Sequence, residues 1–176
     1  MRRLALALTL AALPLAAPAQ EDAAPEPAMT PDRLNAIIGA LDPDAQSNGN
    51  AWYLSVADTQ LLVVTDIQAD RMRVMAPVRD AEGLTAEEMR RMMQANFDSA
   101  LDARYAVARD TLWSVFIHPL SPLEKDEFIS GLGQVVNLAQ SYGTLYSGGA
   151  LQYGGGDSGE IQRRLIDDLL KKGEEI

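Results

Sequence analysis

The chain has 176 residues, no cysteine, and 25 acidic against 15 basic side chains, for a formal net charge of −10. Without cysteine there is no disulfide, no thiolate metal site and no cysteine nucleophile. So acidic a chain is also a poor match for nucleic acid or anionic lipid, both of which are bound by basic patches.

Residues 1–19 have the pattern of an export signal. Arg2 and Arg3 make a basic start, Leu4 to Ala17 is an uncharged apolar run, and Ala17-Pro18-Ala19 offers small residues where a signal peptidase cuts. The expected mature chain begins at Gln20, loses two arginines and is more acidic still. The run is short for a membrane span, and acidic, Pro-rich sequence follows at once, so no stable membrane insertion is expected after cleavage. The expected location is the periplasm. Residues 20–29 (QEDAAPEPAM) have no apolar period and are expected to form a disordered linker.

A domain is expected over residues 30–146. Thr30-Pro31 opens a helix, with Thr as N-cap and Pro at the first helical position. Leu34, Ile37, Ile38 and Leu41 then recur at helical spacing, and Asp42-Pro43 stops them. Pro43 to Asn50 is turn chemistry. Three strands follow: Ala51 to Val56 with Trp52, Leu54 and Val56 on one face, Thr59 to Thr65 as a nearly continuous apolar run, and Arg71 to Val78 with Met72, Val74, Ala76 and Val78 inward and Arg71 and Arg73 outward. Their short connections suit antiparallel neighbours.

Thr85-Ala86-Glu87-Glu88 is a capping box that opens a second helix, whose apolar side is Met89, Met92, Met93 and Phe97. Arg104 to Arg109 and Leu112 to Ile117 read as a hairpin turning at Arg109-Asp110 or Asp110-Thr111. A third helix is expected from Ser121 as N-cap with Pro122 at the first position and Glu124 closing the box; its buried stripe is Phe128, Leu132, Val135, Val136 and Ala139, and Gly143 is placed as a left-handed C-terminal cap. Residues 147–159 form a Gly-rich tether. Residues 160–176 carry a last amphipathic helix, Glu160 to Lys172, with Ile161, Leu165, Ile166, Leu169 and Leu170 on one face and Arg/Lys–Asp pairs four residues apart on the other.

Candidate chemistry is sparse. His118 is the chain's one histidine, and no second histidine stands at metal-ligand spacing. A small hydrolase-like site would pair His118 with Ser114 or Ser121 as nucleophile. The carboxylates Asp66, Asp70, Asp102, Asp110, Asp126 and Glu127 are scattered outside any acid/base motif. Gly131-Leu132-Gly133 falls inside a helix instead of after a strand, so it fails as a dinucleotide fingerprint and reads as close packing of helix on sheet. No cofactor or metal is expected. Met is common on adaptable binding surfaces, which makes Met89, Met92, Met93 and Phe97 candidate protein-binding residues. The C-terminal helix is the other candidate, as a structural regulator that seats in a partner's groove.

The order helix, three strands, helix, two strands, long helix resembles the type III secretion chaperone-like superfamily, and more closely its YbjN-type branch. The residues that carry the resemblance are Asp102-Ala103-Arg104-Tyr105, Leu112 through Leu120, and Phe128 through Tyr142. The resemblance implies an α+β fold, a twisted antiparallel sheet packed with helices. It also implies a non-enzymatic role, binding protein or peptide segments, often as a homodimer, or acting as a regulator. The export signal and the Gly-rich tail depart from the secretion chaperones.

Overall fold

The structure is a computed structural model that describes residues 26–98, 100–143 and 160–174. The expected signal and the expected tether lie outside the described residues, as does the linker up to residue 25. The elements are α1 (Pro31–Leu41), β1 (Gln46–Ser47), β2 (Ala51–Val56), β3 (Thr59–Asp66), β4 (Arg71–Asp80), α2 (Ala86–Asp98), β5 (Arg104–Ala108), β6 (Thr111–Pro119), α3 (Lys125–Gln140) and α4 (Glu160–Glu174). The fold is α+β. All strand pairs are antiparallel in one six-stranded sheet ordered β1-β2-β3-β4-β6-β5. The element order departs from expectation by the short β1, which forms inside the anticipated turn because Gln46 and Ser47 pair with Tyr53 and Trp52.

Local rules account for most boundaries. The Thr30 hydroxyl accepts from the Arg33 N–H (3.2 Å) and caps α1. Asp42 ends that helix and ties it to the sheet, because its carboxylate accepts from the Ser55 N–H at 2.7 Å. The capping box of α2 is complete: the Glu88 N–H donates to Thr85 Oγ1 (3.1 Å) and the Thr85 N–H to Glu88 Oε2 (2.8 Å). The Thr85 N–H first, then the Thr85 hydroxyl, which also donates to Glu88 Oε2 (2.8 Å), hold the Glu88 carboxyl below its ordinary pKa. Both two-residue hairpin turns, Ala57-Asp58 and Arg109-Asp110, have positive φ at both positions without a glycine, a conformation that L side chains adopt at a cost.

The start of α3 corrects the sequence reading. Ser121 is not its N-cap. The Ser121 N–H and hydroxyl donate to the two oxygens of Asp70 (2.7 and 2.8 Å), so the capping group is already engaged. Glu124 caps instead, with Glu127 at N3 accepting from its N–H at 3.1 Å. Gly143, with φ of 84°, takes the left-handed conformation expected just past the helix.

The last residues of the expected linker are docked rather than loose. Met29 is buried, its N–H donates to the Ser121 carbonyl (3.0 Å), and Glu26 accepts from the Lys125 N–H (3.0 Å) and pairs with Arg33. The Lys125 N–H, then Arg33, lower the Glu26 pKa.

The core lies between the sheet and α3, with α1 against β2. From Phe128 to Leu138, α3 is buried almost all round, because α4 covers its outer side. The two glycines mark those two contacts. A Cβ on Gly131 would stand 2.6 Å from the Phe116 ring of β6, whereas one on Gly133 would stand 2.8 Å from Ile166 of α4. Only the first glycine serves helix-on-sheet packing; the second serves helix on helix. Ile166 and Leu169 are buried in that contact. Two lysine bonds fix the last turn of α4: Lys125 Nζ at the start of α3 donates to the Gly173 carbonyl (2.9 Å), and Lys172 Nζ donates to the Leu41 carbonyl at the end of α1 (2.6 Å).

Candidate protein-binding face

Successive side chains on a strand point to opposite faces, and the helices cover one face of this sheet. On the covered side stand Leu61, Val63, Met72, Val74, Ala76, Leu112, Ser114 and Phe116, all buried. On the other side the register aligns Tyr53, Leu62, Met75 and Val115 into a continuous apolar row across β2, β3, β4 and β6. The next row is Ala51, Val64, Arg73 and Ile117. Tyr53 and Ile117 are more than half exposed, and Leu62, Val64, Met75 and Val115 are partly so. Trp113 extends the patch beside Ala106. Leu62, Val64, Met75, Trp113, Val115 and Ile117 line a trough of about 650 Å³, with Tyr53 beyond it on β2. An apolar surface spanning four strands with no element of the described residues on it is what a docking surface looks like.

The sequence contained a sign of this face. The β3 run is apolar at every position from Leu61 to Val64, which suits a strand buried on both sides. The strand is central, as expected, but the helices suffice for one face, so Leu62 and Val64 are left half-covered.

The residues singled out from sequence divide. Met92 is buried in the core, 1 % exposed, which removes it from any binding surface. Met92 and Ala95 are buried together on α2, the helix that packs against β5. Met89, Met93 and Phe97 are exposed, Phe97 at 70 %. Asn96 bridges α2 to the edge strand: its side chain accepts from the Tyr105 N–H (2.7 Å) and donates to the Tyr105 carbonyl (3.2 Å). This occupies one residue of the free sheet edge.

The histidine does not meet a nucleophile. His118 stacks on Phe116 (ring centroids 5.9 Å apart, planes 15° apart), with Nδ1 2.8 Å from its neighbour's carbonyl oxygen, Pro119 O. Ser114 is fully buried with its Oγ unpartnered among the described residues, and the Ser121 hydroxyl is bound to Asp70. His118 lines a separate polar hollow of about 500 Å³ with Asp102, Asp126, Glu127 and Gln134. Gln134 holds that wall, accepting from the Asp102 and Ala103 N–H groups (2.7 and 3.1 Å). Among the described residues, no group of three or more His, Asp or Glu side chains is arranged to hold a metal ion. No described helix is long and apolar enough to cross a membrane.

No family model and no curated protein matches the chain. Solved structures do. A chain of the ExsC-ExsE complex superimposes with a TM-score of 0.50 at 12% identity, covering 69% of this chain and 99% of that one. A chain of the HopA1-SchA chaperone-effector complex gives a TM-score of 0.44 at 6% identity, covering 55% of this chain and 77% of that one. The likeness to the chain of the ExsC-ExsE complex is a likeness of fold.

Proposed function

We propose that this protein is a periplasmic, non-enzymatic module of chaperone-like or regulatory type, which holds an extended segment of another protein against its open sheet face. The observation that carries the reading is the half-exposed apolar row Tyr53, Leu62, Met75 and Val115, on a sheet whose other face is fully packed. Burying such a row at roughly 25 cal/mol per Å² is the main source of binding energy available to it. The likeness in fold to a chain of a two-protein complex supports a protein partner, and the separation of His118 from both serines supports a role without catalysis. The element order supports the YbjN-type branch, and the pattern of residues 1–19 supports export.

A second reading rests on Met89, Met93 and Phe97, which are exposed side by side on α2 and fit self-association into a homodimer. The two surfaces are tested separately. A photoreactive benzoylphenylalanine at Ile117 is expected to crosslink a discrete partner in intact cells, whereas one at Phe97 is expected to crosslink a second copy. Crosslinking at neither position contradicts both readings. N-terminal sequencing of protein from the periplasm is expected to start at Gln20; an intact Met1 there contradicts export by a cleaved signal.

A further inference from the structure

The open face is basic in an acidic chain. Its trough is lined by Arg71, Arg73 and Arg109 against a single acid, Asp66, although acidic residues outnumber basic ones 25 to 15 in the whole chain. Arg73 has the most telling position. It stands between Val64 on β3 and Ile117 on β6, beside the apolar row. Its side chain is exposed, and among the described residues its guanidinium has no hydrogen bond or ion pair. Arg71, by contrast, donates to the Asp70 carbonyl (2.8 Å), and Asp66 accepts from the Ala69 N–H (3.0 Å).

A segment laid over this row strips water from Arg73. A guanidinium that loses water without gaining an anion opposes binding, while one that meets a carboxylate gains a two-pronged, charge-assisted pair. We infer that the segment held on this face is apolar at alternate positions and carries an aspartate or glutamate set to meet Arg73. Arg73 is thus the residue that selects the charge of the partner, and Arg71 and Arg109 add a field of the same sign. This inference rests on the docking reading above and adds the chemical class of the partner.

The test uses three 12-residue peptides with Leu or Val at alternate positions and Ser elsewhere. They differ in one central residue on the apolar side, which is Glu, Gln or Lys. Fluorescence anisotropy on the full chain is expected to show the Glu peptide binding at least tenfold more tightly than the Gln peptide, with the Lys peptide weaker still. Arg73→Gln is expected to shrink the Glu-over-Gln preference to about twofold, the remainder coming from the field of Arg71 and Arg109, and to strengthen Gln-peptide binding because no guanidinium is then stripped of its water; Arg73→Glu is expected to favour Lys. Equal binding of all three peptides to wild type, or a Glu preference that Arg73→Gln leaves undiminished, overturns the role of Arg73 and leaves the docking reading standing. Failure of all three to bind wild type overturns the docking reading, and this inference with it. A wild-type dimer that Arg73→Glu disperses in sedimentation velocity assigns the face to a second copy and overturns the inference of a foreign acidic segment.

Discussion

Val63 and Val64 are neighbours on one strand and differ only in the direction of their side chains. Val63 is fully buried among the helices, whereas Val64 stands half-exposed beside Arg73 on the open face. The same holds for Phe116 and Ile117 on β6. Both faces are apolar, so hydrophobicity alone does not separate folding from function here. The difference is cover. The covered face uses its apolar area to hold the domain together, and the open face leaves its area without cover from the described residues.

Charge insertion breaks the comparison most sharply. Val63→Asp is expected to cost about 5 kcal/mol or more, because a carboxylate would lose its water with no partner inside the core. Val64→Asp is expected to cost within about 1 kcal/mol in urea melts, as a partly exposed surface change does, and to abolish peptide binding. Comparable destabilisation by the two would mean that the open face is part of the core.

Removing residues 160–176 comes next. Ile166 and Leu169 are each buried against α3, and a buried aliphatic side chain is worth about 1.5–3 kcal/mol. Reduced for residual burial in the unfolded chain, the expected loss is about 3–4 kcal/mol. The truncated protein is expected to fold and to keep its open face, with unchanged affinity per folded molecule. Loss of cooperative unfolding would show that α4 completes the core instead of adding to it.

Acid acts on the covered side. Hydrogen bonds from the Lys125 N–H and Arg33 lower the Glu26 pKa, and the Ser121 N–H and hydroxyl lower that of Asp70. A carboxyl with a lowered folded-state pKa contributes stability that is fully present above its unfolded value and is lost as the pH falls through the folded one. Tm is therefore expected to be level from pH 7 to about pH 5 and to drop below about pH 4.5, the ordinary glutamate value. Asp70→Asn is expected to lower Tm at pH 7, with the gap to wild type closing in acid. A gap that widens in acid would contradict the assignment.

The smallest effect concerns Ser114, whose buried Oγ has no partner among the described residues. Ser114→Ala removes the unpaired group and is expected to leave stability unchanged or raise it by about 1 kcal/mol. A loss of more than that would mean that the hydroxyl has a partner in solution.

Much of this architecture was legible from local chemistry. Thr30, Thr85 and the alternation of β4 follow from rules that act within a few residues. The start of α3 was not legible, because the competitor for Ser121 is Asp70, 51 positions away. From sequence Met92 groups with Met89 and Met93, because an apolar arc on a helix does not reveal how much of it a sheet covers. The open face was missed for a related reason. An unbroken apolar strand such as β3 looks the same whether both faces are packed or one waits for a partner, and only the placement of α1, α3 and α4 on one side decides it. Gly133 carried a usable signal, since the small residue sits where the last helix crosses.

The central claim is that the open sheet face, not α2, receives the partner. Methyl-resolved NMR with the Glu-centred peptide tests it directly. The account predicts shifts at Leu62, Val64, Met75, Val115 and Ile117, with Val63, Val74 and Leu132 unmoved. Shifts confined to Met89 and Met93 would contradict it.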